Sequence, residues 1–247
     1  MSFLKLTNTG KPTSYIAVEG NIASGKSTLV TEWKKGLKEI SVNFEPVEQW
    51  RKFPFGVDLI EKFGKGERGA AMGLQVAALS CFEELLKGLE GEEFVLTERS
   101  VFSSYNVFGR VNQREGNLSI VEWSVLTHLY NRLPEWMRYP QLIIYVMTPA
   151  DMCKDRISGR GRPGENELTL DYLQKLEEEH DTMLSETKSC VTKIDGTWRR
   201  KYVYRVSDSS DQRIHERRKW TGIATPPPPP LLRFLGVLSK NNGDSLE

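Results

Sequence analysis

Gly20-Asn21-Ile22-Ala23-Ser24-Gly25-Lys26-Ser27-Thr28 is the stretch whose residue types and spacing can hold a polyphosphate. It fits the pattern G-x-x-x-x-G-K-[S/T] in full. The glycines let the backbone curl until successive N–H groups point inward at phosphate oxygens. A helix N-terminus behind them adds partial positive charge. Lys26 would reach the β- and γ-phosphates, and the Ser27 hydroxyl can ligate Mg²⁺. The bland alternative, a glycine turn that binds nothing, is outweighed by what flanks the loop. Tyr15 to Val18 is a short β-prone run before it, and Leu29, Trp33 and Leu37 recur at helical spacing after it. Strand, loop and helix in that order read as a nucleoside triphosphate site.

Further along lie other groups suited to phosphate chemistry. In Glu45-Pro46 the proline restrains Glu45 to extended backbone, at the carboxyl edge of a strand over Ile40–Phe44. A carboxylate there can act as general base; a solvated or helix-capping Glu is the even alternative. Glu98-Arg99-Ser100 ends a third strand, Phe94–Thr97. Glu98 can hold Mg²⁺ directly or through water, and Arg99 can pair with phosphate or steady Glu45. Gln75, Ala78 and Phe82 share one face of a helix over Ala70–Leu86, where Gln75 could read a base edge with its amide. Ser100, Ser104 and Phe108 share a face of the next helix, although on spacing alone core packing is the better explanation of the Phe. Arg156, Arg160 and Arg162 run into Pro163-Gly164-Glu165, the composition of a lid that closes on phosphates.

These groups need a scaffold. Leu142–Met147 reads as a fourth, fully buried strand and Val191–Gly196 as a short fifth. Gly109–Asn117 reads as a polar connection, with helices over Glu122–Leu133 and Leu168–Leu184. The fold expected is α/β: a five-stranded parallel sheet with helices on both faces and an arginine-rich lid. We divide the chain into an arm, 1–14, an α/β domain, 15–196, and a basic, proline-rich tail, 197–247.

Composition narrows the classes. The 247 residues suit one α/β domain. Thirty-four basic against 33 acidic residues leave a net charge of +1, so no nucleic-acid or membrane partner is expected. Cys81, Cys153 and Cys190 are scattered, without C-x-x-C spacing, and suit a reducing compartment over a disulfide or zinc framework. No apolar run reaches membrane-span length. The first fourteen residues make a poor secretory or mitochondrial leader. A cytoplasmic address is therefore expected, and a mitochondrial one only from a longer precursor. The run Pro226–Pro230 reads as a spacer before it reads as a ligand for an SH3-like partner.

With these residues assembled, the chain resembles the deoxyribonucleoside kinases. The shared motifs are Gly20–Thr28, Glu45-Pro-Val-Glu-Gln-Trp50, Glu98-Arg-Ser100, the arginine lid from Arg156 to Glu165, and Leu170-Asp-Tyr-Leu-Gln174, in family order. The resemblance implies a P-loop kinase fold, with 15–196 as the deoxynucleoside kinase domain, ATP as phosphate donor, Mg²⁺, a deoxynucleoside acceptor and a homodimer. It implies that Glu45 takes the proton from the nucleoside 5′-hydroxyl and that Arg99 holds the transferring phosphoryl group. Glu98 and Ser27 would manage Mg²⁺, with Arg156 beside the loop and Arg160 and Arg162 closing over the phosphates. Trp50 and Phe108 would sandwich the base, Gln75 would bond its edge, and Glu165 would meet the sugar 3′-hydroxyl. Where the family places a sugar-binding tyrosine, this chain has Phe63 or Gly64, so that contact rests on Glu165. Phe82 and Ser104 stand where purine-tolerant members pair an Arg and an Asp. A bulky, uncharged Phe82 should narrow the pocket toward thymidine and deoxycytidine.

The nearest rival is a deoxynucleotide kinase such as thymidylate kinase, which needs an arginine for its substrate's own phosphate. A non-catalytic nucleotide-binding adaptor is the rival of another class, and it has no use for a base at Glu45. A GTPase is disfavoured, because the sequence has no N-K-x-D motif.

Overall fold

The computed structural model describes residues 14–37 and 40–197. The proposed arm, most of the tail, its basic residues and the run Pro226–Pro230 lie outside the described residues. Five parallel strands form one sheet in the order β2-β3-β1-β4-β5. They are β1 (Ser14–Glu19), β2 (Ser41–Asn43), β3 (Phe94–Glu98), β4 (Leu142–Met147) and β5 (Cys190–Asp195). The expected fold is the one observed.

Alternation of side chains across each strand splits the core into two layers. Ile16, Val18, Val42, Leu96 and Ile144 face one way and pack with Val30 of α1 (Lys26–Gly36). Ile143 faces the other way, into a cluster with Cys153 and Ile157 of α9 (Ala150–Arg160) and Leu173, Leu176 and Met183 of α10 (Leu170–Glu186). β1 lies between β3 and β4 and is buried at all six residues.

Helices α2 (Val47–Arg51), α3 (Leu59–Gly64), α4 (Ala70–Lys87) and α7 (Ile120–Arg132) build a second apolar cluster, with Trp50, Leu79, Phe82, Leu126 and Tyr130 at its centre. Asp58 caps α3 by accepting from the Glu61 amide at 2.9 Å. α7 opens two residues before the expected start, because Ser119 and Glu122 form a capping box.

Between α4 and α7 the structure differs from the sequence expectation. Helix α5 (Val101–Ser103) runs into a π-helical stretch, Ser104–Gly109, and then into α6 (Arg110–Arg114). The expected polar connection over Gly109–Asn117 is therefore helical as far as Arg114. Polarity does not mark exposure here: Val111 and Asn112 are buried, and Asn112 donates to the Phe108 carbonyl at 2.8 Å. The short α8 (Glu135–Arg138) leads to β4; α9 (Ala150–Arg160) ends at Gly161; α10 (Leu170–Glu186) completes the chain before β5.

Candidate active site

All five strands run parallel, so their carboxyl ends share one edge, where ligands of open α/β sheets bind. A cavity of about 2000 Å³ occupies that edge. It holds roughly twice the volume of a single-ligand pocket, enough for a nucleotide and a second substrate.

The glycine loop Ile22–Thr28 forms one end of the cavity. Gly20 leads into it at φ +144°, and a Cβ there would lie 2.6 Å from the Val146 carbonyl of the neighbouring strand. The loop is tied from several sides. Asn21 donates to the Leu173 carbonyl at 2.8 Å, and Thr148 to the Ser24 carbonyl at 2.9 Å. Lys26 donates to the Gly20 and Asn21 carbonyls at 3.1 and 2.7 Å. Burial and the nearby Arg99 charge push its ammonium down to about 8. Arg156, on α9, donates to the Ser24 carbonyl at 2.9 Å and to the Gly196 carbonyl at 2.8 Å, bracing the loop from the β5 side.

The acidic groups meet in the middle of the cavity. The Ser27 hydroxyl donates to Glu98 Oε1 at 2.5 Å. An all-oxygen pair beside a phosphate cradle fits Mg²⁺, which takes only one or two protein ligands when phosphates supply the rest. Among the described residues no cluster of three His, Cys, Asp or Glu offers an alternative metal site.

Glu45 projects past the end of β2, and its Oε1 lies 2.9 Å from Arg99 Nε. Burial raises the Glu45 carboxyl above the ordinary range, Arg99 opposes that rise and Glu98 adds to it. Arg99 also donates to the Gly20 carbonyl at 2.9 Å and lies over the Phe108 ring, 4.6 Å from its centroid. To reach three elements at once it adopts φ +63°, a region that costs a non-glycine residue about 1–3 kcal/mol. The Arg99 amide donates to the Val18 carbonyl at 2.9 Å, and its carbonyl accepts from Thr97 Oγ1 at 2.5 Å; these bonds fix the turn.

The far end is apolar. Trp50, Gln75, Ala78, Ser104 and Phe108 line it together. Gln75 is 5% exposed and its amide oxygen makes no hydrogen bond. A buried acceptor without a partner costs about 1–3 kcal/mol, which a ligand donor would recover. Phe82 does not line the cavity. It shares the azimuth of Gln75 but sits seven residues, about 10.5 Å, farther along the helix. There it is wholly buried in the apolar cluster that includes Trp50 and Ala78.

The segment expected to act as a lid, Arg156–Glu165, also lines the cavity. Arg160 Nε donates to Glu165 Oε2 at 2.6 Å, and Arg162 Nη1 lies 3.9 Å from Glu165 Oε1. Glu165 itself is 7% exposed. The structure thus gathers Arg156, Arg160, Arg162 and Glu165 around one cavity with the loop and the two acids.

Among the cavity residues without a role in the sequence expectation are Arg51, Asn112 and Tyr172. Tyr172 stood in the quoted Leu170–Gln174 motif without a role, and Arg51 directly follows Trp50. Asn112 had no sequence signal, since it lay in the segment read as a connection.

Comparison with known proteins agrees with this geometry. A family model described as deoxynucleoside kinase matches residues 16–218. The chain is 32% identical over 188 residues to a probable deoxycytidine kinase of fowlpox virus, covering 72% of this chain and 75% of the relative. It is 31% identical to deoxycytidine kinase 2 of Gallus gallus, over 69% of this chain and 74% of that one. Identity to deoxycytidine kinase of Homo sapiens is 28%, with 68% and 74% covered. On motif, fold and site geometry alike, the chain belongs to the deoxynucleoside kinase family.

Proposed function

We propose that this deoxynucleoside kinase transfers the γ-phosphoryl group of ATP to the 5′-hydroxyl of thymidine or deoxycytidine, as a salvage step that supplies DNA precursors. The observation that carries the reading is the Glu45–Arg99 pair, standing in one cavity between the glycine loop and the Gln75–Phe108 end.

Phosphoryl transfer needs positioning and charge stabilisation more than covalent chemistry. Glu45 accepts the proton of the 5′-hydroxyl as that oxygen attacks. Arg99 keeps the carboxylate aimed and faces the charge that develops on the transferring group. Lys26, Arg160 and Arg162 surround the remaining phosphate oxygens. Ser27 and Glu98 would hold Mg²⁺, which when bound neutralises charge on the β- and γ-oxygens. Trp50 and Phe108 bracket the base, Gln75 offers its free amide oxygen to a base N–H, and Glu165 meets the sugar. The preference for pyrimidines is supported by the base end holding Gln75, Ala78 and Ser104 without a charged pair, backed by the bulk of Phe82. A homodimer belongs to the same reading, with the exposed Ile120, Val121 and Val125 of α7 as its support. No helix among the described residues is long and apolar enough to cross a membrane.

Parallel assays of thymidine, deoxycytidine, deoxyadenosine, deoxyguanosine and thymidine monophosphate with ATP and Mg²⁺ test the reading. Pyrimidine monophosphates are the expected products. Purine products would overturn the base preference. Turnover of thymidine monophosphate alone would make the enzyme a nucleotide kinase.

A further inference from the structure

Arg51 closes α2 and belongs to no motif role assigned so far. Its guanidinium is held from two sides: Nη1 donates to the Pro163 carbonyl at 2.9 Å and to Asp58 Oδ2 at 3.2 Å. Nη2 is buried and makes no hydrogen bond. It lies 3.9 Å from Glu165 Oε1. That oxygen is likewise without a hydrogen bond of its own, since Arg160 occupies Oε2.

A donor and an acceptor 3.9 Å apart are too distant to satisfy each other. Both can reach one oxygen placed about 2.9 Å from each. A hydroxyl is the group that donates and accepts at once. Arg51 and Glu165 both line the cavity, so the hydroxyl would come from its occupant.

The neighbouring backbone explains why an arginine has this task. A Cβ on Gly64 would collide with the Gly164 carbonyl oxygen, and a Cβ on Gly164 would lie 2.7 Å from Glu61 Cα. The lid end packs directly on α3, leaving no room for a long side chain at Gly64. Phe63 turns to Tyr172, ring centroids 5.9 Å apart, and has no donor to give. The same close packing carries Pro163 and Glu165 onto Arg51.

We propose that Arg51 is a substrate-binding residue: Nη2 donates to the sugar 3′-hydroxyl, and that hydroxyl donates to Glu165 Oε1. The assignment rests on the deoxynucleoside reading of the cavity and adds to it the donor that neither Phe63 nor Gly64 can supply. A site whose buried Arg51 donor and Glu165 acceptor are both open to one hydroxyl rejects the analogue that lacks it.

The test compares thymidine with 3′-deoxythymidine, and deoxycytidine with 2′,3′-dideoxycytidine, for the wild type, Arg51→Ala and Arg51→Lys. In the wild type, kcat/KM should fall about tenfold to hundredfold on loss of the 3′-hydroxyl. In Arg51→Ala the 2′-deoxynucleosides should lose most of that factor, chiefly in KM, while the dideoxynucleosides change little. Arg51→Lys keeps the charge beside Asp58 without the planar fork, and it should narrow the same ratio by a smaller factor. Equal losses on both substrate types, or a ratio unchanged in the folded variants, overturn the assignment while leaving the kinase reading intact. A wild type that phosphorylates no nucleoside overturns the kinase reading and the assignment with it.

Discussion

Arg99 Nε lies 2.9 Å from Glu45 Oε1, and the same guanidinium donates to the Gly20 carbonyl at the mouth of the glycine loop. One side chain therefore ties Glu45, the proposed base, to the glycine loop proposed to hold the phosphate donor. In the proposed reaction this tie helps to set the relative placement of the two substrates.

Glu45→Gln keeps the shape of the carboxylate and removes its basicity. We expect kcat to fall by about 10²–10⁴, with ATP affinity changed less than threefold, roughly. Burial raises the Glu45 carboxyl, so turnover should be lost with falling pH at values above the ordinary glutamate range. A pH–rate profile of kcat/KM checks the limb. Retention of wild-type turnover by Glu45→Gln would remove it as the base.

Arg99→Lys keeps the charge but not the fork. It cannot serve Glu45 and the Gly20 carbonyl together, nor spread flat over Phe108. A fall in kcat of roughly tenfold to hundredfold is expected, without a comparable rise in the nucleoside KM. The measurement is steady-state kinetics beside thermal melting. A loss explained wholly by unfolding would reduce Arg99 to a structural prop.

Ser27→Ala and Glu98→Gln should both raise the Mg²⁺ concentration needed for half-maximal activity, by roughly tenfold each. Since Ser27 and Glu98 are hydrogen-bonded at 2.5 Å, their effects should be less than additive. Titration of activity against Mg²⁺ in the two single variants and the double decides it. Unchanged Mg²⁺ curves would move the metal elsewhere.

How much of this could be read beforehand differs by element. Strands were legible because a parallel sheet demands short unbroken apolar runs: the reading placed Leu142–Met147 where β4 is and the other four within a residue or two. The glycine loop, Glu45, Glu98, Arg99 and the lid arginines were legible because phosphate chemistry restricts residue type and spacing together. Phe82 was misplaced because periodicity reports azimuth and says nothing of distance along the axis. Arg51 and Asn112 were invisible for a different reason. Their roles come from contacts across 112 residues in one case and from an irregular helix in the other, and neither leaves a periodic trace.

Glu19, the last residue of β1, gives a stability prediction. It is fully buried; Oε1 accepts from Ser100 Oγ at 2.5 Å, and Oε2 makes no hydrogen bond. Burial pushes its carboxyl from about 4.5 up to about 7, against the opposing pull of Arg99, Ser100, Ser103 and Lys26. The folded state then holds the proton more tightly than the unfolded state. Folding stability should therefore decline as pH rises through that window, and the decline is complete above about 7. Glu19→Gln cannot ionise. Its melting temperature relative to the wild type should rise by several degrees between about pH 5 and about pH 8. A difference independent of pH would show that Glu19 holds its charge in both states.

The π-helical stretch Ser104–Gly109 has a consequence beyond bending the chain. Ser104, Phe108 and Asn112 all line the cavity at steps of four residues. In a regular α-helix such a row drifts forward around the axis, because a turn holds 3.6 residues. The wider π turn drifts backward, and the two in succession bring the row nearly straight. The segment thus keeps count. An alanine in it trims a contact, whereas a residue added to or removed from the regular turns that follow would rotate everything beyond it by about 100°. The wide turn can take up one residue more or less; the turns after it cannot.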